Sequence, residues 1–264
     1  MFPQLFTFQL PDFLSNIFNN QEITVYTYAF CIVLGTLTAT LYTKYTAEKD
    51  LGINKLSNSF FYIIFIAGFV GGKLFYYLEK PIFYYRNPHL LFDNFSGGFV
   101  FYGSFLTIIP IVIWYLKKQK IAMLPMLDIL GITTLIVHAI GRIGCFNAGC
   151  CFGSSTNSSF GIVFPTTNNI AVHPTQLYEA VTLIILLIIL LTIKKRQQFN
   201  GQIFLLYISF YAISRAVLEV FRGDNRGYII ENWVSHSQFI ALLILIMALF
   251  FYLKFKTTNK LIFK

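Results

Sequence analysis

Charge is the scarcest property of this chain. Only 12% of its 264 residues are Asp, Glu, Lys or Arg, while 56% are hydrophobic. A soluble domain carries about 25% charge, so the composition excludes an ordinary water-soluble globule and points to a membrane protein. Acidic residues are the rarer sign, 11 against 20 basic, leaving a net charge of +9. The basic residues form no continuous patch of the kind nucleic acid needs. They sit in short clusters between apolar runs, so nucleic acid is not an expected partner. Cysteine is sparse as well. Cys31, Cys145, Cys150 and Cys151 do not make a secreted disulfide scaffold. No internal repeat or low-complexity segment stands out. The N-terminus lacks the basic start, apolar middle and small-residue cleavage site of a signal peptide. It is apolar but broken by Pro3, Pro11 and Asp12, and reads as an interfacial segment lying on a membrane.

What is abundant fits that picture. There are 30 Phe and 16 Tyr, as expected of lipid contact and interfacial belts. Seven stretches are apolar over the roughly 20 residues that a spanning helix needs. They are residues 23–43, 58–79, 98–116, 121–146, 174–193, 201–222 and 233–253. The expected fold is an all-α polytopic membrane protein with seven transmembrane helices, in one integral domain over residues 1–264.

Basic residues set the expected orientation. Lys44, Lys49 and Lys55 follow the first stretch, and Lys117, Lys118 and Lys120 the third. Lys194, Lys195 and Arg196 follow the fifth, and Lys254, Lys256, Lys260 and Lys264 occupy the tail. The alternate segments hold only Lys80, Arg86 and Arg226. Positive charge marks the cytoplasmic side. The N-terminus is therefore expected outside and the C-terminus in the cytoplasm. Two substantial external segments follow, 80–97 and 147–173, and the second contains no Asp, Glu, Lys or Arg. A loop of that length is commonly functional.

With this orientation, the polar side chains inside the stretches fall at one depth. Lys73, His138, Arg142, Arg215, Glu219 and Arg222 all lie towards the external face. So do Tyr28, Tyr102, Gln176, Tyr178 and Glu179, while Asp128 lies towards the cytoplasm. An arginine at mid-bilayer costs at least about 2.5–3.5 kcal/mol, so these groups need partners or a polar chamber. Arginine is a planar fork suited to phosphate. The ligand available at that depth is an anionic phospholipid headgroup.

Spacing adds detail. Arg215 and Glu219 are four residues apart, Glu219 and Arg222 three, and His138 and Arg142 four, so each set shares a helical face. Arg215, Glu219 and Arg222 fit two readings, a self-neutralising structural triad or a set that orients one arginine towards an anion, and His138 fits both a helix-packing hydrogen-bonder and a functional group. The glycines of SGGFVFYGS and GRIG permit close backbone approach in helix packing. Gly97 and Gly98 open the third stretch, where a helix N-terminus can also hold an anion. Cys145, Cys150 and Cys151 leave three readings open: packing, a disulfide or a metal. The spacing is not the C-x2-4-C pairing of structural zinc, and an adjacent pair rarely chelates together.

Five motifs occur in order: VYTYAFCIVLG (25–35), SGGFVFYGSFL (96–106), GRIGCFNAGCCFG (141–153), HPTQLYEA (173–180) and RAVLEVFRGD (215–224). Together they resemble the phosphatidylglycerol–prolipoprotein diacylglyceryl transferase family of the bacterial inner membrane, over nearly the whole chain. The resemblance implies transfer of the diacylglyceryl group of phosphatidylglycerol to the lipobox cysteine thiol of a prolipoprotein. A thioether forms and glycerol phosphate leaves. It implies that Arg142 binds and neutralises the phosphate and that Arg215 assists, held by Glu219 and Arg222. Tyr28, Gly98, Gly103 and Gly153 would serve substrate binding, with Gln176 and Glu179 from the HPTQLYE segment. Other membrane lipids surround the site, and no metal or cofactor is expected. The chain also departs from the family pattern. Tyr102 stands where the family has a histidine, Cys145 and Ala148 where it has asparagines, and Cys150 where it has a glutamate. Tyr102 or His138 is then left to handle the thiol proton. Three other readings remain: a divergent lipid-handling paralogue, a transporter, which would extend polar groups to the cytoplasmic side, and a redox or metal protein built on the cysteines.

Overall fold

A computed structural model describes residues 3–9, 22–53, 56–93, 99–223, 228–230 and 234–258. The fold is helical. Helices α1 (Thr27–Leu51), α2 (Asn58–Leu78), α3 (Pro81–Arg86), α4 (Leu90–Asp93) and α5 (Phe101–Lys118) are followed by α6 (Met123–Ala148), α7 (Thr175–Lys194), α8 (Gln202–Leu218) and α9 (His236–Thr258). Among the described residues, five helices are long and apolar enough to cross a membrane: α2, α6, α7, α9, and α8 with the 3-10 turn Glu219–Phe221 that extends it. Helices α1 and α5 occupy the positions of the other two expected stretches. Apolar side chains line the exposed faces, as Leu242, Leu243, Ile246 and Phe250 do on α9. In water such faces would be costly, whereas hydrocarbon accepts them.

Among the described residues, three small antiparallel ladders supplement the helices. Strand β1 (Gln4–Gln9) pairs with β2 (Glu22–Tyr26), β3 (Ile162–Val163) with β4 (Ala171–Val172), and β5 (Tyr228–Ile230) with β6 (Val234–Ser235). The first ladder shifts the expected boundary of the first helix from residue 23 to Thr27, because β-favouring Thr24, Val25 and Tyr26 pair with β1. The helix then runs on to Leu51, carrying Lys44 and Lys49 on its last turns rather than in a loop. Its threonines do not break it: Thr36 and Thr43 donate back to the carbonyls of Ile32 and Ala39 at 2.8 and 2.7 Å.

The chain divides into two compact units, Met1–Thr46 with Leu127–Lys264, and Ala47–Met126. In the first, the core lies between α6, α7 and α8, where Ile132, Leu135, Leu183, Leu190 and Ile203 are fully buried. Helix α1 crosses α6 at glycines. A Cβ on Gly144 would meet Cys31 Cβ at 2.9 Å, and one on Gly35 would meet Ile140 Cβ at 3.4 Å. In the second unit α2 packs on α5 through small residues. A Cβ on Gly103 would lie 2.5 Å from the carbonyl oxygen of Gly71, and Ser104 donates to the Gly68 carbonyl at 2.7 Å.

Asp128 has a structural task. Its buried carboxylate accepts from the backbone N–H groups of Gly201 at 2.7 Å and Phe204 at 2.9 Å, and from Gln197 Nε2 at 2.6 Å. It thus caps the N-terminus of α8, where unpaired N–H groups and the helix dipole favour an anion. Asp128→Ala leaves these donors unsatisfied. A loss of about 1–3 kcal/mol in stability is expected, read as a lowered unfolding temperature of the purified protein, with Asp128→Asn recovering part of it.

Candidate active site

Helix α6 presents His138 and Arg142 one turn apart, as expected from their spacing. Helix α7 meets them with Glu179, whose side chain is only 4% exposed. Arg142 Nε lies 3.0 Å from Glu179 Oε2, and His138 Nε2 lies 3.2 Å from Oε1. Arg142 Nε also lies 3.3 Å from His138 Nε2. These contacts define two proton arrangements. A neutral His138 with a bare Nε2 accepts from Arg142. An imidazolium donates the same nitrogen's proton to Glu179 instead. One nitrogen cannot do both, so His138 sits where it can take up a proton and find its new charge compensated.

The sequence around Glu179 explains its position. Pro174 precedes α7 and Thr175 opens it, so Gln176 and Glu179 fall one turn apart on a buried face. Gln176 Nε2 donates to the Cys150 carbonyl, and Thr175 Oγ1 donates to that of Cys151 at 3.0 Å. Two side chains of α7 thereby hold the loop that follows α6. Gln176 Oε1 is buried and has no hydrogen-bond partner among the described residues.

Helix α8 contributes the second arginine. Arg215 Nη2 pairs with Glu219 Oε2 at 2.8 Å, and the charge of Arg215 also reaches Glu179. Arg215 Nη1 is buried and has no hydrogen-bond partner among the described residues. A buried guanidinium donor without an acceptor is costly and marks a place where an anion can bind. Glu219 and Arg222 stand at the two ends of one 3-10 turn. The α-helix ends at Leu218, and Arg222 caps the following 3-10 turn in an extended conformation. Its charge bears on Cys151 from there.

Gly153 is packed too closely for any side chain. Its N–H donates to the His173 carbonyl at 2.8 Å, while the Ser154 N–H donates to the Phe221 carbonyl at 2.9 Å. A Cβ on Gly153 would overlap that Phe221 oxygen and lie 2.7 Å from Thr175 Cγ2. Gly153→Ala is expected to push the loop off the end of α8 and reduce folded yield sharply. Size-exclusion profiles of the purified variant beside the parent check this.

The three loop-proximal cysteines converge. Gly149 and Cys151 have φ of +67° and +65°, folding the chain back over the end of α6. The Sγ atoms of Cys145, Cys150 and Cys151 all lie within 4.8 Å of one another, and those of Cys150 and Cys151 are 3.7 Å apart. Hydrogen bonding from Cys145, together with the nearby charges of Arg142 and Arg222, draws the Cys151 thiol below its ordinary pKa.

Tyr28 is half exposed on α1 and packs at Gly144. Tyr102 opens α5 beside Gly103, both in the other compact unit, and Gly98 lies outside the described residues. One aromatic partner, Tyr211, escaped the sequence reading. His138 packs on the Tyr211 ring at 5.6 Å, and His173 Nδ1 lies 3.2 Å from the Tyr178 hydroxyl. Tyr211 was legible in principle, because it precedes Arg215 by four residues on α8.

A family model described as "Prolipoprotein diacylglyceryl transferase" matches residues 15–254. The chain belongs to this family. Relatives named phosphatidylglycerol–prolipoprotein diacylglyceryl transferase include one from Clostridium tetani, 34% identical over 86% of this chain and 92% of its own length. One from Campylobacter lari is 32% identical over 92% of this chain and 97% of its own length. A Clostridium perfringens relative, numbered 2 in that organism, is 32% identical over 87% of this chain and 91% of its own. Membership in the diacylglyceryl transferase family, with several apolar helices, makes this a multi-pass membrane protein.

Proposed function

We propose that this chain transfers the diacylglyceryl group of phosphatidylglycerol to the lipobox cysteine thiol of prolipoproteins; its relatives are named phosphatidylglycerol–prolipoprotein diacylglyceryl transferases. The observation that carries this reading is the buried Arg215 Nη1, with no hydrogen-bond partner among the described residues, on the helix beside the Arg142–Glu179 pair. It supports a slot for one phosphate. Arg142 and Arg215 take its oxygens and stabilise the charge that develops as it leaves, a preorganised electrostatic role. The thiolate sulfur attacks the glyceryl carbon, the C–O bond to phosphate breaks, and glycerol phosphate departs with the electron pair. His138 receives the thiol proton, and Glu179 compensates the imidazolium. Tyr102 is the alternative group for that proton.

Glu219 holds Arg215, and Arg222 adds charge near the loop. Tyr28, Gln176 and Gly153 shape the substrate-binding wall, and Gly98 and Gly103 are further substrate-binding candidates from the sequence alone. The helices form seven spans, with the N-terminus outside and the C-terminus cytoplasmic, as the Lys and Arg clusters favour. The site faces the external side of the bacterial inner membrane. Phospholipid and the signal-peptide segment enter sideways from the bilayer. A second reading, a paralogue that binds phospholipid but uses another acceptor, is favoured by Tyr102, Cys145 and Cys150 at family positions. Complementation separates the two. Bacteria depleted of their own transferase regain growth and a reporter prolipoprotein mobility shift if the first reading holds. A well-inserted chain that retains lipid binding but restores neither supports the second.

A further inference from the structure

The thiols of Cys145, Cys150 and Cys151 are more than loop packing. All three sulfurs lie within 4.8 Å of one another, and one pair is already 3.7 Å apart. Sulfurs about 2.3 Å from a tetrahedral zinc ion stand roughly 3.8 Å from each other. One edge of such a site is therefore preformed, and neither of the other two exceeds 4.8 Å. The positive φ values of Gly149 and Cys151 bring an adjacent pair and a helix-borne third thiol to the same point. The backbone holds that point firmly. The Cys150 N–H donates to the Cys145 carbonyl at 3.2 Å, and Gln176 and Thr175 clamp the carbonyls of Cys150 and Cys151. Cys150 and Cys151 are exposed, so an ion can enter.

We propose that Cys145, Cys150 and Cys151 form a three-thiolate site for one Zn2+ ion, whose fourth position receives the acceptor thiol. Thiolate ligands select soft or borderline metals over Mg2+ and Ca2+. Three protein ligands with an open fourth position are the pattern of zinc sites that act on an added ligand. Three thiolates on Zn2+ carry one net negative charge, which Arg142 and Arg222 offset from nearby. The assignment of the fourth ligand rests on the transferase reading above. On zinc, a coordinating thiol is deprotonated outright. The protons of the three cysteines pass to water when the ion binds, and that of the acceptor passes to His138 or water when it joins. The bound sulfur then attacks the glyceryl carbon as already described. The zinc site replaces the expectation of a metal-free site.

The full chain, purified in detergent under reducing conditions and stripped by chelator, is titrated with Zn2+ and, as a spectroscopic probe, Cd2+. One ion per chain is expected, with thiolate-to-cadmium charge-transfer absorption. Cys150→Ser and Cys151→Ser each weaken binding by at least the roughly 10–100-fold that loss of an outer partner costs. Cys31→Ser, a buried residue on α1 outside the cluster, leaves binding unchanged. A lipobox-cysteine peptide strengthens the absorption by adding a fourth thiolate. No ion on the reduced parent, or ions retained when both Cys150 and Cys151 are replaced, overturns the site. Equal thioether formation by stripped and zinc-loaded protein overturns the fourth-ligand assignment. Metal and peptide binding with no thioether formed from phosphatidylglycerol leaves the site standing and defeats the transferase reading instead.

Discussion

Arg142→Ala is expected to lower kcat/KM for diacylglyceryl transfer by about 10²–10³, the scale of losing one preorganised donor to a developing anion. The loss should fall mainly on kcat, since the phosphate gains charge as its C–O bond breaks. Arg142→Lys keeps the charge but not the fork, and Nε would be gone from its place 3.0 Å from Glu179. It should therefore sit between the parent and the alanine variant. Purified protein in phosphatidylglycerol-containing micelles, with a lipobox peptide and thioether product measured by mass, provides the comparison. An alanine variant within twofold of the parent would remove Arg142 from the phosphate site.

Glu179→Ala is expected to be the most damaging single change to stability. Glu179 is almost fully buried and compensates Arg142, His138 and, at greater distance, Arg215. Removing one partner of a buried ion pair costs about 3–5 kcal/mol, because the remaining charge is left uncompensated. The unfolding temperature should drop and activity should fall with it. Glu179→Gln retains the shape and one acceptor oxygen while losing the charge, so it should recover much of the stability and little of the activity. Thermal unfolding followed by the thioether assay on the same preparations tests both parts. Equal stability of Glu179→Ala and parent would show that the surrounding cations find compensation elsewhere.

Much of this arrangement was legible in the sequence, and the exceptions have physical causes. The pairing of His138 with Arg142, and of Arg215 with Glu219, follows from helical spacing and holds in the structure. Their meeting with Glu179 does not follow from spacing, because periodicity describes one helix and is silent about which face of α7 it meets. Asp128 gave no hint of its partners for the same reason: its acceptor geometry is completed by the N–H groups of Gly201 and Phe204, more than 70 residues away. Spacing did not reveal that the α-helix gives way to a 3-10 turn after Leu218, where the Phe221 carbonyl turns to the Ser154 N–H. The gathering of three thiols was hidden as well. A spacing of Cys-x4-Cys-Cys acquires meaning only once Gly149 and Cys151 reverse the chain.

The most direct test of the central claim is the product itself. The parent chain is given phosphatidylglycerol labelled in its diacylglyceryl group and a peptide with a single lipobox cysteine. The account predicts a thioether-linked diacylglyceryl peptide and stoichiometric glycerol phosphate, with neither formed when the cysteine is replaced by serine. Phosphatidylglycerol bound by the folded protein but never consumed, with the zinc-loaded form included, would contradict it.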